Sequence, residues 1–310
     1  MKGEVSFSPN DLEVARCFTT GLTIEAAIHP KPGLVDRVKP LAEIDVFRLS
    51  TSAVALHPYF AQAAKLGRRG EARGNLGKLI LDASTRSLSV QRGGNAHLGA
   101  IILTVPLAAA AGSLGSRSRS PEALRRAAVD TVARLDWKDA SNVFRAIEQV
   151  RPGGLGRVCF LDVVDRETYA LFRRLRAGLL QAFEPYRGRD MVADELVEGY
   201  PLVFDECLDA LLRWERASES LEVACVNALL TVMGRRPDTH IIRRRNILVA
   251  RIAQSMALTA LRLGGASSER GLEAIAELDN YLRRLDARPG SSADILAASL
   301  SVRLLLGLRV

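Results

Sequence analysis

The sequence predicts an all-α fold: a single multi-helix globular domain over residues 1–310, with Gly/Arg-rich loops forming a central polyphosphate pocket. Three observations carry this reading. Apolar residues recur at steps of three and four in almost every long segment, the spacing of one helix face. "RVCFLDVVD" (157–165) is the only strand-like run, and it is short and isolated. The loops are few, nearly all join glycine to arginine, and no linker divides the chain into two compositions.

The first helix is expected in "SPNDLEVARCFTTGLTIEAAI" (8–28). Ser8 can cap it, Pro9 suits its first position, Asp11 falls in the first turn, and Leu12, Ala15, Leu22 and Ala26 form the apolar stripe. A second helical segment covers 41–66 with an internal break at Pro58, and a third covers 76–88. The fourth, 96–111, holds the longest apolar run, "LGAIILTVPLAAAAG". That run is shorter than the roughly 18–20 residues of a membrane span, so a buried core helix kinked at Pro106 is predicted. Helical spacing continues through 121–150, 167–184, 192–232, 240–263, 269–286 and 292–307. No period of about 20–50 residues repeats.

With 310 residues and 48% hydrophobic composition, the chain can bury a sizeable core. The net charge of +8 suits a polyanionic ligand, or reflects an arginine-rich composition. Aromatics make up only 5% and none interleave with the basic loops, which argues against nucleic acid. Cys17, Cys159, Cys207 and Cys225 form no C-x-x-C pair and no zinc spacing, so a reducing cytoplasm is the simplest setting. The N-terminal stretch has no apolar core of signal-peptide length. A homo-oligomer is compatible with the composition.

The loops hold the candidate chemistry. In "HPKPGLVDR" (29–37), Pro30 and Pro32 stop the preceding helix near Ile28. Glu25 then lies in the last turn, against the negative end of the helix dipole. Lys31 or a bound Mg²⁺ would compensate it, and Asp36 could share the ion. Gly33 allows close approach of a ligand, and Lys31 and Arg37 supply charge; the alternative is a rigid surface turn. In "QRGGNAHLGA" (91–100), Gly93 and Gly94 allow unusual dihedrals, Asn95 is a helix cap, and His97 falls in the first turn beside any bound phosphate. "SSAD" (291–294) has the spacing of a capping box. "PDTHIIRRR" starts another helix at Asp238 or Thr239, and Arg243 to Arg245 point to three different faces. "PGGLG" (152–156) lacks the lysine and hydroxyl of a P-loop.

Taken in order, these stretches resemble the triphosphoribosyl-dephospho-coenzyme A synthase family. Its T-P-K-P-G-L-V-D-R stretch after a glutamate-bearing helix is matched by "EAAIHPKPGLVDR", and its L-x-P-Y-F element by "LHPYF" (56–60). Its G-x-N-T-H-K-G-A is matched by "GGNAHLGA", its D-T-N with a following arginine by "DTHIIRR" (238–244), and its P-G-G-S-A-D-L-L-A by "PGSSADILA" (289–297). The resemblance runs from about residue 12 to 305. It implies an all-α enzyme that moves the triphosphoribosyl group of ATP to a ribose hydroxyl of 3′-dephospho-CoA and releases adenine, with Mg²⁺ accompanying the triphosphate. The site residues it carries over are Glu25, Lys31, Gly33, Asp36, Arg37, Asn95, His97, Gly99, Asp238, Arg244, Ser292 and Asp294, to which the loop reading adds Gly94.

On this basis His97, helped by Asn95, is the expected general acid or base. Glu25 and Asp36 are the expected metal carboxylates, with Lys31, Arg37 and Arg244 on the triphosphate and Asp238 as a further carboxylate. The chain departs from the family in places. Where the family has N-x-G-A-H-x-D-M, this sequence has "VKPLAEIDVF", with Asp45 one place off register; Leu98 replaces a lysine, His240 an asparagine and Ser291 a glycine. The stretch "DASNVFRAIEQVRPGGLGRV" resembles a divergent branch found in archaea and methylotrophs, in gene neighbourhoods for tetrahydromethanopterin-type cofactors. That resemblance implies, as an alternative, the same donor chemistry on a pterin-cofactor precursor, and the missing histidine segment leaves a non-catalytic ATP-binding protein as a second.

Overall fold

Helix α1 (Pro9–Ala27) starts as its sequence directs. The Asp11 N–H donates to Ser8 Oγ at 3.2 Å and the Ser8 N–H donates to Asp11 Oδ2 at 2.8 Å, a reciprocal cap. In this computed structural model the described residues are 6–154 and 156–309. The first five residues, Leu155 within "PGGLG" and Val310 lie outside them, as does part of the N-terminal stretch read as lacking a signal core.

The segment 41–66 becomes two helices, α2 (Val46–Ala55) and α3 (His57–Arg69). Residues 41–45 stay outside because Asp45 caps α2, accepting the Arg48 N–H at 2.8 Å. Pro58 begins α3 rather than kinking a longer helix. α4 (Leu76–Ser89) follows, then α5 (Leu98–Leu114), which keeps Pro106 inside it. The single run expected over 121–150 divides into α6 (Pro121–Arg134) and α7 (Trp137–Val150), because Asp136 and Asp139 form a second capping box between them. α8 (Glu167–Leu175) and α9 (Leu179–Phe183) replace the run 167–184.

The run 192–232 breaks twice. α10 (Met191–Glu198) stops at Gly199, which has φ +80°, and a π-helical stretch (Leu202–Leu208) leads into α11 (Asp209–Ser218). Ser220 then caps α12 (Leu221–Arg235). α13 (Thr239–Arg244) is short and ends before Asn246, whose side chain caps α14 (Ile247–Arg262). α15 (Glu269–Arg284) and α16 (Gly290–Leu305) complete the fold. No strand occurs among the described residues, and 157–165 forms turns and irregular backbone.

α5 runs through the core, buried continuously from Ala100 to Gly112. Two glycines let α3 lie directly on it. A Cβ on Gly67 would sit 1.8 Å from the Ala109 carbonyl oxygen, and one on Gly112 would sit 2.0 Å from that of Ala64. The first and last helices, α1 and α16, pack against each other and against α5. This brings the N-terminus of α5, the C-terminus of α1 and the first turn of α16 together around one cavity.

Candidate active site

The cavity has a volume of about 200 Å³ and a lining of two unlike parts. Its polar part carries Glu25 from α1, Lys31 from the loop 29–37, Asn95, His97 and Gly99 from around the start of α5, and Asp294 from α16. His240 and Arg243 of α13 continue it, with Asp190 and Arg288. The rest of the lining is largely apolar, with Ile102, Phe144, Ile147, Phe183 and Val192. Tyr186 joins that part and pins the irregular segment beside it. Its hydroxyl accepts from the Val163 N–H at 2.8 Å and donates to the Leu161 carbonyl at 3.2 Å.

Glu25 sits at the end of α1, and Lys31 answers it. Lys31 Nζ donates to Glu25 Oε1 and to the Glu25 carbonyl oxygen, both at 2.7 Å and both buried. One ammonium thus neutralises the carboxylate and satisfies an orphan carbonyl of the last turn.

His97 stands at the N-cap of α5 rather than within its first turn, while Asn95 Oδ1 accepts the Leu98 N–H at 3.1 Å. His97 Nε2 lies 3.0 Å from the Leu49 carbonyl oxygen. A carbonyl only accepts, so the proton belongs on Nε2 and Nδ1 is left with its lone pair. Burial holds the imidazole below its ordinary pKa, so it is neutral at pH 7. Asp294 Oδ1 accepts the Ala100 N–H at 2.9 Å. Burial, then the nearby charge of Glu25, pushes the Asp294 carboxyl up to about 8. Gly99 makes room for it: a Cβ there would lie 2.1 Å from Asp294 Oδ2.

The other expected residues lie outside the wall, for visible reasons. Asp36 is occupied by its own loop. Its Oδ2 accepts from His29 Nδ1 at 2.8 Å and the Lys31 N–H at 3.3 Å, and its Oδ1 accepts from the N–H groups of Val38 at 2.8 Å and Lys39 at 2.6 Å. Burial opposes the Asp36 charge, but His29 and these amides outweigh it and hold the carboxyl below its usual range. Arg37 pairs with Glu222, and the Gly33 N–H, in the left-handed region at φ +71°, donates to Asp279 Oδ1 at 2.8 Å. Of the loop 29–37, Lys31, Leu34 and Val35 reach the cavity.

Asp238 caps α13 and ties it to α16. Its Oδ1 accepts the N–H groups of His240 at 2.8 Å and Ile241 at 3.1 Å, and its Oδ2 accepts the Ser292 N–H at 2.8 Å and hydroxyl at 2.7 Å. The "SSAD" stretch is therefore not a capping box. α16 already starts at Gly290, and Ser292 and Asp294 reach outward to Asp238 and Ala100. Gly94, with φ +78°, has open space around it off the wall. Arg244 turns to Asp286 at 3.0 Å, and its neighbour Arg243 faces the cavity instead. Arg288 carries no signal in the sequence, and Arg243 is one of the run Arg243 to Arg245 whose members point to different faces. The replacement of asparagine by His240 was the available signal.

A profile described as "CitG: ATP:dephospho-CoA triphosphoribosyl transferase" matches residues 11–309. The chain belongs to this family. A Stutzerimonas stutzeri relative named "Probable 2-(5''-triphosphoribosyl)-3'-dephosphocoenzyme-A synthase" is 32% identical over 287 residues, 90% of this chain and 87% of that one. A Pseudomonas savastanoi protein of the same name is 29% identical over 288 residues, with 91% and 87% coverage. The crystal structure of an Archaeoglobus fulgidus chain assigned as a triphosphoribosyl-dephospho-CoA synthase superposes with TM-score 0.64. At 23% identity it covers 83% of this chain and 99% of the other, a likeness of fold.

As a triphosphoribosyl transferase of this family, the chain departs from the pattern at the cavity itself. Leu41 and Ile44, from the segment where the family carries its extra histidine, present apolar side chains to the wall, and so does Leu98. Asp45 is spent on the α2 cap. Among the described residues no group of three His, Cys, Asp or Glu side chains converges as a metal centre, and no helix is long and apolar enough to cross a membrane.

Proposed function

We propose that this cavity transfers the triphosphoribosyl group of ATP to a ribose hydroxyl of 3′-dephospho-CoA and releases adenine. The observation that carries the reading is His97: a buried, neutral imidazole whose Nδ1 lone pair remains available on the wall of the cavity that holds the family's matched residues. The bond between ribose C1′ and adenine breaks with its electron pair going to adenine, through an oxocarbenium-like state. The acceptor oxygen forms the new bond to C1′. His97 Nδ1 takes the hydroxyl proton, and that proton leaves on adenine, so the reaction balances. Asn95 supplies a carboxamide beside it, held by the Leu98 N–H. The apolar wall of Phe144, Phe183 and Tyr186 keeps out water, whose attack on C1′ would waste the donor.

Mg²⁺ takes oxygen ligands, commonly one or two carboxylates with substrate phosphates. Glu25 and Asp294 fit that need. Glu25 is buried and Asp294 half-buried on the wall, and a carboxyl pushed to about 8 is one that a divalent cation would return to its charged form. Asp36 does not fit, since four N–H groups already occupy its oxygens. When bound there, the ion would neutralise phosphate charge. A second reading keeps the donor and replaces the acceptor by a tetrahydromethanopterin-type precursor; the apolar Leu41 and Ile44 at the wall favour it.

The test is incubation of the protein with ATP, Mg²⁺ and 3′-dephospho-CoA, following free adenine and the mass of the acceptor. Adenine with a triphosphoribosylated acceptor is expected. Adenine appearing only with a pterin precursor would support the second reading. ATP binding with no adenine from either acceptor would sink both, leaving a non-catalytic ATP-binding protein.

A further inference from the structure

We propose that the donor's triphosphate is held by Arg243, Arg288 and His240, at the wall where α13 meets the α15–α16 connection, and not by the basic loop 29–37. This rests on reading the cavity as the ATP site.

Guanidiniums crowd together at that wall. Asp286 alone accepts from Arg244 at 3.0 Å, from Arg245 at 3.0 Å, and from Arg288 at 3.0 and 2.8 Å. The other acidic partners are Asp190 for Arg243 and Glu43 for Arg288. Four guanidiniums therefore share three carboxylates, and the Glu43 side chain is 56% exposed. The two arginines on the wall are half-buried, with side chains 18% exposed for Arg243 and 16% for Arg288.

Hydrogen bonding there is incomplete as well. Among the described residues, Arg243 Nε and His240 Nδ1 are buried without a partner. A buried donor left unsatisfied is costly, and native structures seldom tolerate it without a role. His240 is held against the backbone of Gly290, where a Cβ would come within 2.4 Å of Nδ1. Phosphate oxygens are strong acceptors and match guanidinium donors two at a time, so a polyphosphate would satisfy both the crowded charge and the orphan Arg243 Nε. By contrast each of the loop's cations has a carboxylate of its own, Lys31 with Glu25 and Arg37 with Glu222, and among the described residues neither leaves a buried nitrogen without a partner.

The experiment compares ATP with ADP as donor in wild type, Arg243→Gln, Arg288→Gln and the two Arg→Lys variants. The ratio of kcat/KM for the two donors does not depend on how much of a variant is folded. We expect wild type to favour ATP, each Gln variant to lose roughly ten- to hundred-fold of that preference, and Lys to restore part of it. A wild-type ratio in both Gln variants would overturn the assignment. If wild type releases no adenine, the reaction reading fails by itself, and inorganic tripolyphosphate binding measured by calorimetry decides this one. Binding by wild type that the Gln variants lose supports the subsite; no binding by wild type, or equal binding by all proteins, overturns it.

Discussion

The loop 29–37 and the wall from Asp238 to Asp294 are both rich in charge, yet they stand in opposite physical states. In the loop each charge has its partner within the protein: Lys31 on Glu25, Asp36 on His29 and three amides, Arg37 on Glu222. At the wall, Arg244, Arg245 and Arg288 crowd onto the one carboxylate of Asp286, and among the described residues two buried nitrogens have no partner. A loop that satisfies itself builds a scaffold, whereas a surface left incomplete awaits a ligand. The density of motif residues does not separate the two; the fate of each polar atom does.

The contrast predicts that wall variants fail in chemistry and loop variants fail in stability. The largest effect is expected for His97→Ala. Loss of a general base commonly costs about 10²–10⁴ in turnover, and steady-state adenine release at saturating ATP measures it. Because burial lowers the His97 pKa, the base stays neutral as pH falls through 6.5. The acid limb of wild-type kcat/KM should therefore lie below 6.5; a limb above it would remove His97 from the role. Next comes Lys31→Met, which leaves Glu25 buried and unpaired beside Asp294. Breaking a buried pair from one side costs about 3–5 kcal/mol. Denaturant unfolding should show that loss, and the double variant with Glu25→Gln should recover much of it.

The helices were legible because burial imposes a period, and α1, α4, α5, α15 and α16 lie close to their expected spans. The breaks were harder. Asp136 and Asp139 carry a capping signature inside a run whose apolar spacing continues across it, so periodicity alone joins α6 to α7. The site was half legible. Glu25, Lys31, Asn95, His97, Gly99 and Asp294 meet at one cavity. Arg244 was expected where Arg243 stands, because α13 has only six residues and too few turns to set its phase from pattern. The aromatic wall could not be read at all: Phe144 lies far along the chain from Phe183 and Tyr186, and only packing brings its ring within 5.8–6.0 Å of theirs.

Two loop substitutions give the smaller and most discriminating tests. Asp36→Asn replaces a four-fold acceptor by a side chain whose NH₂ group faces N–H donors, and should cost about 1–3 kcal/mol. The Asp36 pKa is depressed in the fold, so its contribution is complete above the ordinary 3.8 and fades as pH falls toward the lowered value. The Asn variant should lack that acid-dependent share of stability, while its folded fraction turns over ATP near the wild-type rate. A loss of turnover by orders of magnitude at unchanged stability would return Asp36 to the catalytic site. Arg37→Ala should do least. Arg37 and Glu222 are 47% and 40% exposed, and ion pairs in that setting contribute about 0–1 kcal/mol. Its KM for ATP should match wild type, whereas Arg243→Gln should raise that KM; equal increases in both would erase the distinction between a scaffold loop and a ligand wall.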